Sequence, residues 1–454
     1  MLQTKVDAHS MLRWSILIFL FLILTVPGCQ AIPTARPITP TSPSAPLSTA
    51  APSGRPATPT LPVSPPALAP RAPLTLTVWL PDALIPSGNV RAGAVLTQQL
   101  AAFVATQPNV QLKVLTKRAR GPSDILELMQ ASAPVAPSFL PDVALLDLAQ
   151  IPAATQSELL RPLNGLVSDD TFAGLFPFAA QAGHPDDRWL AVAYVADMEH
   201  LAFNSARIPS PPITWAQVLS APQPYLFPAG INGGTVSDAL LAQYAAAGGR
   251  WMDASGQPSL DAAPLTQMLS QLKAAQQAGA ISANVLNFAS ADDTWQAYLG
   301  RPEQMVNVRA SRFIAQRATI SGTLAAPLPG YSDEPARPIA RGWAFVVPTR
   351  NATRAAAAAA LIKWLVSPEN EGAWARSANL LPAHRGAFDR GYPPDADAAF
   401  ARQELERAVA PPPAQVMQVV GPAIQKAVAD VLRGQAQPTE AATAAVASVA
   451  RALK

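Results

Sequence analysis

One cysteine and four histidines are all the thiol and imidazole chemistry that this chain carries in 454 residues. A lone cysteine, Cys29, closes no intramolecular disulfide and builds no thiolate metal cluster. The histidines (His9, His184, His200 and His384) are scattered, and no HExxH, GxSxG or GxxxxGKS/T pattern occurs. Zinc-peptidase, serine-hydrolase and nucleotide-hydrolase chemistry are therefore not expected, nor is a cofactor or a metal. Two carboxylates alone suffice for a glycosidase, but nothing in the sequence marks a pair. Charge is scarce as well: 14% of residues are charged against 49% hydrophobic, the balance of a globular chain with a lightly charged surface. The formal net charge of +3 is concentrated at the start. Residues 1–73 hold Lys5, Arg13, Arg36, Arg55 and Arg71 against Asp7 alone, which leaves 28 basic and 29 acidic residues in the remainder. A basic surface for nucleic acid is thereby excluded, despite a sequence pI near 9.1.

What is present at the N-terminus reads as an export signal over residues 1–28. Lys5 and Arg13 precede the apolar run Trp14–Thr25, which is too short for a comfortable membrane span and suits a signal h-region. The run ends in Val26-Pro27-Gly28-Cys29, which resembles the bacterial lipobox with the sole cysteine at the acylation position. Pro27 is an unusual choice at the variable position. Cys29 is thus expected to be lipidated, and two acyl chains give a stable membrane anchor where one is marginal. Residues 29–73 follow as a tether, with 13 prolines between residues 30 and 73, many Ser, Thr and Ala, and no acidic residue. Extended as polyproline II it reaches on the order of 130 Å at about 3.1 Å per residue.

The body opens with the alternating strand 74–80, LTLTVWL, then helical spacing over 92–106, a strand at 110–116, a short helix at 124–131 and an apolar strand at 141–148. Strands each followed by a helix point to an open, largely parallel α/β sheet. Ligands in such sheets sit beyond the carboxyl ends of the strands, which places Pro81, Asp82, Asp147 and Gln150 on one rim. Residues 189–204, WLAVAYVADMEHLAFN, read as strand-like at both ends. Asp197, Glu199 and His200 lie between, and something polar is expected to meet them there.

Seven further segments, weak singly, occur in family order. They are WLAVAYVADMEHLAFNSARI, ITWAQVL (213–219), YAAAGGRWMDASGQPSL (244–260), RPEQMVNVRAS (301–311), RGWAFVVP (341–348), ALIKWLVSPENEGAWARSANLLPAHRGAF (360–388) and the closing VGPAIQKAVADVLRGQAQPTEAATAAVASV. Together over residues 74–454 they resemble bacterial extracellular solute-binding proteins of the maltose-binding type, the receptors of ABC importers. The resemblance implies a two-lobe periplasmic-binding-protein-like fold (type II) with an interlobe ligand cleft. Lobe one would comprise residues 74–190 and 342–382, and lobe two residues 191–341 and 383–454.

It also implies a monomeric, extracytoplasmic, lipid-anchored receptor that takes a small-molecule ligand, a sugar, and passes it to ABC permease subunits at the membrane. The rival readings are a sensor that hands its closed form to a signalling kinase, and an extracellular glycan-active enzyme. On the family pattern Asp197 stands where sugar-binding relatives carry a hydroxyl-binding carboxylate, and a carboxylate accepts several strong hydrogen bonds. Trp343 is expected to stack on a sugar face, the alternative being a core tryptophan. Asn232 and Ser311 sit at matching places in lobe two. Glu199 and His200 are expected to be structural or solvated. Arg341 replaces the usual glycine and, with Arg309 and Arg312, opens the reading of a cationic cleft for a phosphorylated or acidic ligand. The plainer reading puts these arginines on the surface.

Overall fold

The computed structural model describes residues 73–84, 90–221, 224–230, 236–302 and 304–454. The export segment, Cys29, the tether and Asn232 lie outside the described residues. Among the described residues no helix is long and apolar enough to cross a membrane.

Strand β1 (Leu74–Pro81) pairs in parallel with β2 (Val110–Lys117) along its full length, Leu74 opposite Val110 and Pro81 opposite Lys117. The helix Val90–Thr106 connects them and buries Ala92, Leu96, Gln99 and Phe103, the three-and-four spacing of one helix face. Strand β3 (Val143–Asp147) joins β1 on its other side, also in parallel. All five of its residues are buried, as the apolar run Val143–Leu146 requires of a strand covered on both faces. The helix Ile125–Ser132 starts on Asp124, whose carboxylate accepts from the Glu127 N–H at 3.0 Å.

Beyond β3 the sheet departs from the parallel expectation. Strand β4 (Val192–Asn204) and the strands β5 (Tyr225–Leu226), β6 (Met305–Arg309), β7 (Thr323–Ala326), β8 (Ala340–Val346) and β9 (Leu381–Pro382) complete it. The order is β2-β1-β3-β8-β4-β6-β5, with β7 and β9 also on β4. Only the outer pairs β1–β2, β1–β3 and β5–β6 are parallel, whereas every pairing of β8 and β4 is antiparallel. The middle is built by chain passing from one lobe to the other, not by strand–helix–strand units, so nothing holds it to parallel direction.

Strand β4 corrects a second expectation. Its 13 residues form one unbroken strand, not two short ones around a wet break. At about 3.3 Å per residue it spans roughly 43 Å, more than twice an ordinary strand. Val192–Met198 pair with β8, and Glu199–Phe203 pair with β6. A bulge between Ala193 and Val195 shifts the register at the start.

Each lobe has its own core. The first gathers Leu76, Leu145, Phe176, Tyr194, Phe345 and Trp374. The second gathers Phe203, Trp215, Tyr244, Leu269, Ile424 and Leu432, with Trp295, Tyr298 and Val306 as a neighbouring cluster. The cores divide the chain later than the sequence pattern suggests. Val192–Ala196 and Met198 belong to the first core, as do Phe388, Ala398, Leu405 and Ala408, and the second resumes at Val416. Apolar burial, rather than the position of the charges, sets where a lobe ends.

Candidate ligand-binding cleft

The carboxyl ends of the parallel strands of lobe one open on a groove. Asp82 follows β1, and Arg118 to Arg120 follow β2. The Asp82 Oδ1 accepts from the Ala119 N–H at 2.9 Å, which ties the two loops together. These residues line a cavity of about 420 Å³ whose floor is β4 at Val195–Asp197 and β8 at Arg341–Trp343, with Arg309 and Leu380 closing the far wall. A second cavity of about 320 Å³ shares Ala83, Leu84, Arg309 and Leu380 with it and continues past Ser311, Arg312 and Asp292. The two form one groove, walled by lobe one on one side and lobe two on the other.

Asp82, Asp197, Trp343 and Ser311 therefore meet in this groove. Pro81 ends β1 behind it. Asp147 turns inward: its Oδ1 accepts from the Ala149 N–H at 3.0 Å, and its Oδ2 accepts from Arg120 Nη2 at 2.6 Å and Nε at 3.2 Å. Gln150 donates from Nε2 to Asp124 Oδ2 at 2.8 Å and so braces a helix cap. Neither Asp147 nor Gln150 lines the groove, although both follow the carboxyl end of β3. The residues that the sequence rule passed over, Arg118 and Arg120, obey it better, because they stand just beyond β2.

Trp343 is 9% exposed and lies opposite Val195 on β4 and Asp147 on β3. Its neighbour Gly342 lets β8 approach β4: a Cβ there would come within 2.2 Å of the Val195 carbonyl oxygen. Asp197 is held more tightly than an open hydroxyl receptor would be. Its Oδ1 accepts from the Ser311 and Met198 N–H groups, each at 3.0 Å, and its Oδ2 accepts from the Ser311 hydroxyl at 2.6 Å. A carboxylate has about four acceptor positions, so roughly one is left for a ligand. Burial pushes its carboxyl above the usual range, while the Arg309 charge and the Ser311 bonds pull it down.

The arginines of the groove divide: Arg312 is exposed, as the plainer reading expects, with Arg118 and Arg120, whereas Arg309 and Arg341 are half-buried. Arg341 forms a bidentate pair with Asp238, Nε to Oδ2 at 2.8 Å and Nη2 to Oδ1 at 2.7 Å. Burial works against its charge, but the carboxylates, Asp238 foremost, overcome burial and hold the guanidinium protonated. Arg312 pairs with Asp292 at 2.7 Å, and Arg120 with Asp147. Arg309 lies 3.9 Å from Asp292, and the charges of Asp197, Glu199, Asp238 and Asp292 together outweigh its burial. Arg120, Arg309, Arg312 and Arg341 thus each have a carboxylate within 4 Å.

Behind Asp197 the strand continues into buried polar residues. Glu199 is 4% exposed, and its Oε2 accepts from the Ala239 N–H at 3.1 Å and the Asn307 amide at 3.3 Å. Burial first and the Asp238 charge second push its carboxyl up to about 7. His200 is 2% exposed. Of the two expected roles, structural and solvated, the packing leaves only the first. Among the described residues no group of three or more His, Cys, Asp or Glu side chains converges as a metal ion would require.

Comparison with known proteins agrees with this geometry. The sequence model of a family described as bacterial extracellular solute-binding protein matches residues 87–402. No curated protein matches the sequence. Among solved structures, the cyclic α-maltosyl-1,6-maltose binding protein from Arthrobacter globiformis superimposes with a TM-score of 0.68 at 19% identity, covering 84% of this chain and 99% of that one. A cyclo/maltodextrin-binding protein complexed with maltotetraose gives 0.68 at 16% identity, covering 84% and 98%. The GacH receptor of Streptomyces glaucescens GLA.O gives 0.62 at 17% identity, again covering 84% and 98%. At these identities the likeness establishes the fold.

Proposed function

We propose that this chain, which belongs to the family of bacterial extracellular solute-binding proteins, captures a neutral oligosaccharide in the groove between its lobes and delivers it to the permease of an ABC importer. The observation that carries the ligand class is the groove itself. A tryptophan, carboxylates and guanidiniums line one cavity, Trp343 with Asp82, Asp197, Arg118, Arg120, Arg309 and Arg341. The indole offers an apolar face to the C–H face of a sugar ring, and the ionised groups accept from and donate to its hydroxyls. Structural likeness to receptors whose solved complexes hold maltotetraose or acarbose supports the same class.

Capture requires the lobes to close, and β4 is the natural hinge, being the one strand paired into both halves of the sheet. The role is binding without turnover. Cys29 is the proposed lipid attachment point, and residues 29–73 the tether that holds the receptor at the extracytoplasmic face of the membrane.

Titration calorimetry with maltotetraose and with cyclic maltosyl sugars tests the groove. Trp343→Phe and Asp197→Asn are each expected to weaken binding about tenfold, the effect of losing part of a stacking face or one charged hydrogen bond. Unchanged affinity in both variants defeats this reading of the groove, and release of hydrolysed sugar by the purified protein defeats the non-enzymatic one. Cys29→Ser is expected to move the protein from the membrane to the soluble fraction.

A further inference from the structure

The groove uses one face of β4. Successive side chains on a strand point to opposite faces, so Asp197 and Glu199 look one way while Met198 and His200 look the other. On that other face lies a separate cavity of about 330 Å³. Its body is apolar: Met198, Phe313, Ile314, Tyr392 and Phe400 line it. His200 lines it too, standing edge-on between Phe313 and Phe400 at ring separations of 5.2 and 5.3 Å.

The imidazole is polar, buried and only half used. Its Nδ1 is 2.9 Å from the Leu201 carbonyl oxygen and so acts as the donor there. That leaves Nε2 as an acceptor, and among the described residues nothing donates to it. Burial pulls the pKa of this histidine down to about 4, so the ring stays neutral and the acceptor persists at ordinary pH. The mouth of the cavity carries Arg91 and Arg376, both exposed, and among the described residues neither forms an ion pair. Two carboxylates also line the cavity, and both are engaged: Asp397 pairs with Arg317, and the Asp395 Oδ1 accepts from the Ala398 N–H at 2.8 Å.

We propose that this cavity is a second binding site, for a small aromatic hydroxy acid, and that its occupancy biases the opening and closing of the lobes. The ring lies among the apolar side chains, the hydroxyl donates to His200 Nε2, and the carboxylate meets Arg91 and Arg376 at the mouth. Cavities of this size hold ligands of one or two rings. Coupling to the groove follows from shared elements. The helix Ala310–Gln316 holds Asp197 through Ser311 on one side and lines the cavity with Phe313 and Ile314 on the other. Asn379 and the stretch after it do the same, with Leu380 on the groove and Leu381 on the cavity. Lobe one supplies Arg91 and Arg376 and lobe two supplies Phe313, so closure about β4 changes the shape of the cavity, and by linkage an occupant shifts closure. The coupling rests on the groove being the sugar site, whereas the second site itself does not.

Titration of the full-length protein with 4-hydroxyphenylacetate and with neutral p-cresol tests both parts. Both probes are expected to bind. Ala401→Phe, which fills the cavity, should abolish binding of both. Arg376→Gln, at an exposed position that tolerates the change, should weaken the acid about tenfold and leave p-cresol unaffected. The same titrations repeated with maltotetraose present should show affinity shifted in either direction by a common factor for the two ligands. Failure of both probes to bind folded protein at millimolar concentration overturns the site. So does probe binding that Ala401→Phe leaves intact. Probe binding that leaves sugar affinity unchanged overturns the coupling alone. Absence of any sugar binding while the probes still bind leaves the cavity standing and removes the reading of the groove instead.

Discussion

Glu199 and His200 are neighbours on one strand, equally buried, and opposite in what burial does to them. On the groove face Glu199 sits near Asp238, and its carboxyl is pushed up to about 7. On the other face His200 sits among phenylalanines, and its imidazole is pushed down to about 4. Both shifts have the same first cause, desolvation of the charged form, but that form is the base of one group and the acid of the other. The comparison teaches how a single strand can serve two chemistries. The groove face keeps its charges by pairing Arg120, Arg309, Arg312 and Arg341 with carboxylates, and the back face keeps a polar atom by leaving it neutral.

The largest test of that difference is to unmatch the groove face. Arg341→Ala strips Asp238 of its bidentate partner and leaves it beside Glu199. Breaking a buried pair from one side costs about 3–5 kcal/mol, so the variant is expected to unfold at markedly lower urea concentration. A midpoint within error of the parent would mean that the groove face does not depend on charge matching.

Protonation provides the next two tests, with opposite signs. The raised Glu199 pKa means that the native state holds a proton that the unfolded chain releases. Its contribution to stability is therefore present below about pH 4.5 and lost as pH rises through about 7. Glu199→Gln keeps the acceptor for Ala239 and Asn307 and removes the titration. It is expected to stabilise the protein at pH 8 on the order of 2 kcal/mol and to flatten the alkaline side of the stability profile. His200 runs the other way: its depressed pKa means that the unfolded chain binds the proton first, so stability is lost as pH falls from about 6.5 through about 4. His200→Phe should flatten the acid side, by at most about 2 kcal/mol at pH 5. Thermal unfolding from pH 4.5 to 8.5 checks both variants, and identical profiles would erase the contrast between the two faces.

The smallest expected effect belongs to Gln150→Ala. The side chain braces Asp124 and does not line the groove. A loss of about 1 kcal/mol in stability with no change in sugar affinity is expected, and an affinity change would return Gln150 to the site.

The strands and helices of the first lobe were legible because periodicity and turn residues are local. β1, β2 and the helix Val90–Thr106 lie within two residues of their expected bounds. The groove residues were legible by two routes, the strand-end rule for Asp82 and the family pattern for Asp197, Ser311 and Trp343. Residues beyond the carboxyl ends of parallel strands include Asp82 in the groove, but the same rule offers Asp147 and Gln150, and these are taken up by Arg120 and Asp124. The rule knows position and not partner. Asp238 and Arg341 show why, since their pairing joins residues 103 positions apart and no local pattern signals it. The mixed direction of the sheet escaped for the same reason: β8 reaches β3 and β4 from far along the chain.

By itself the sequence determined where the start of the first lobe would form strand and helix, that the chain is globular, and the family to which it belongs, because each follows from composition, local spacing or segments kept in order. Only the tertiary structure decided which charges line the groove and which face one another. Burial and pairing depend on what the rest of the chain brings within a few ångströms, and at β4 that environment differs between one residue and the next.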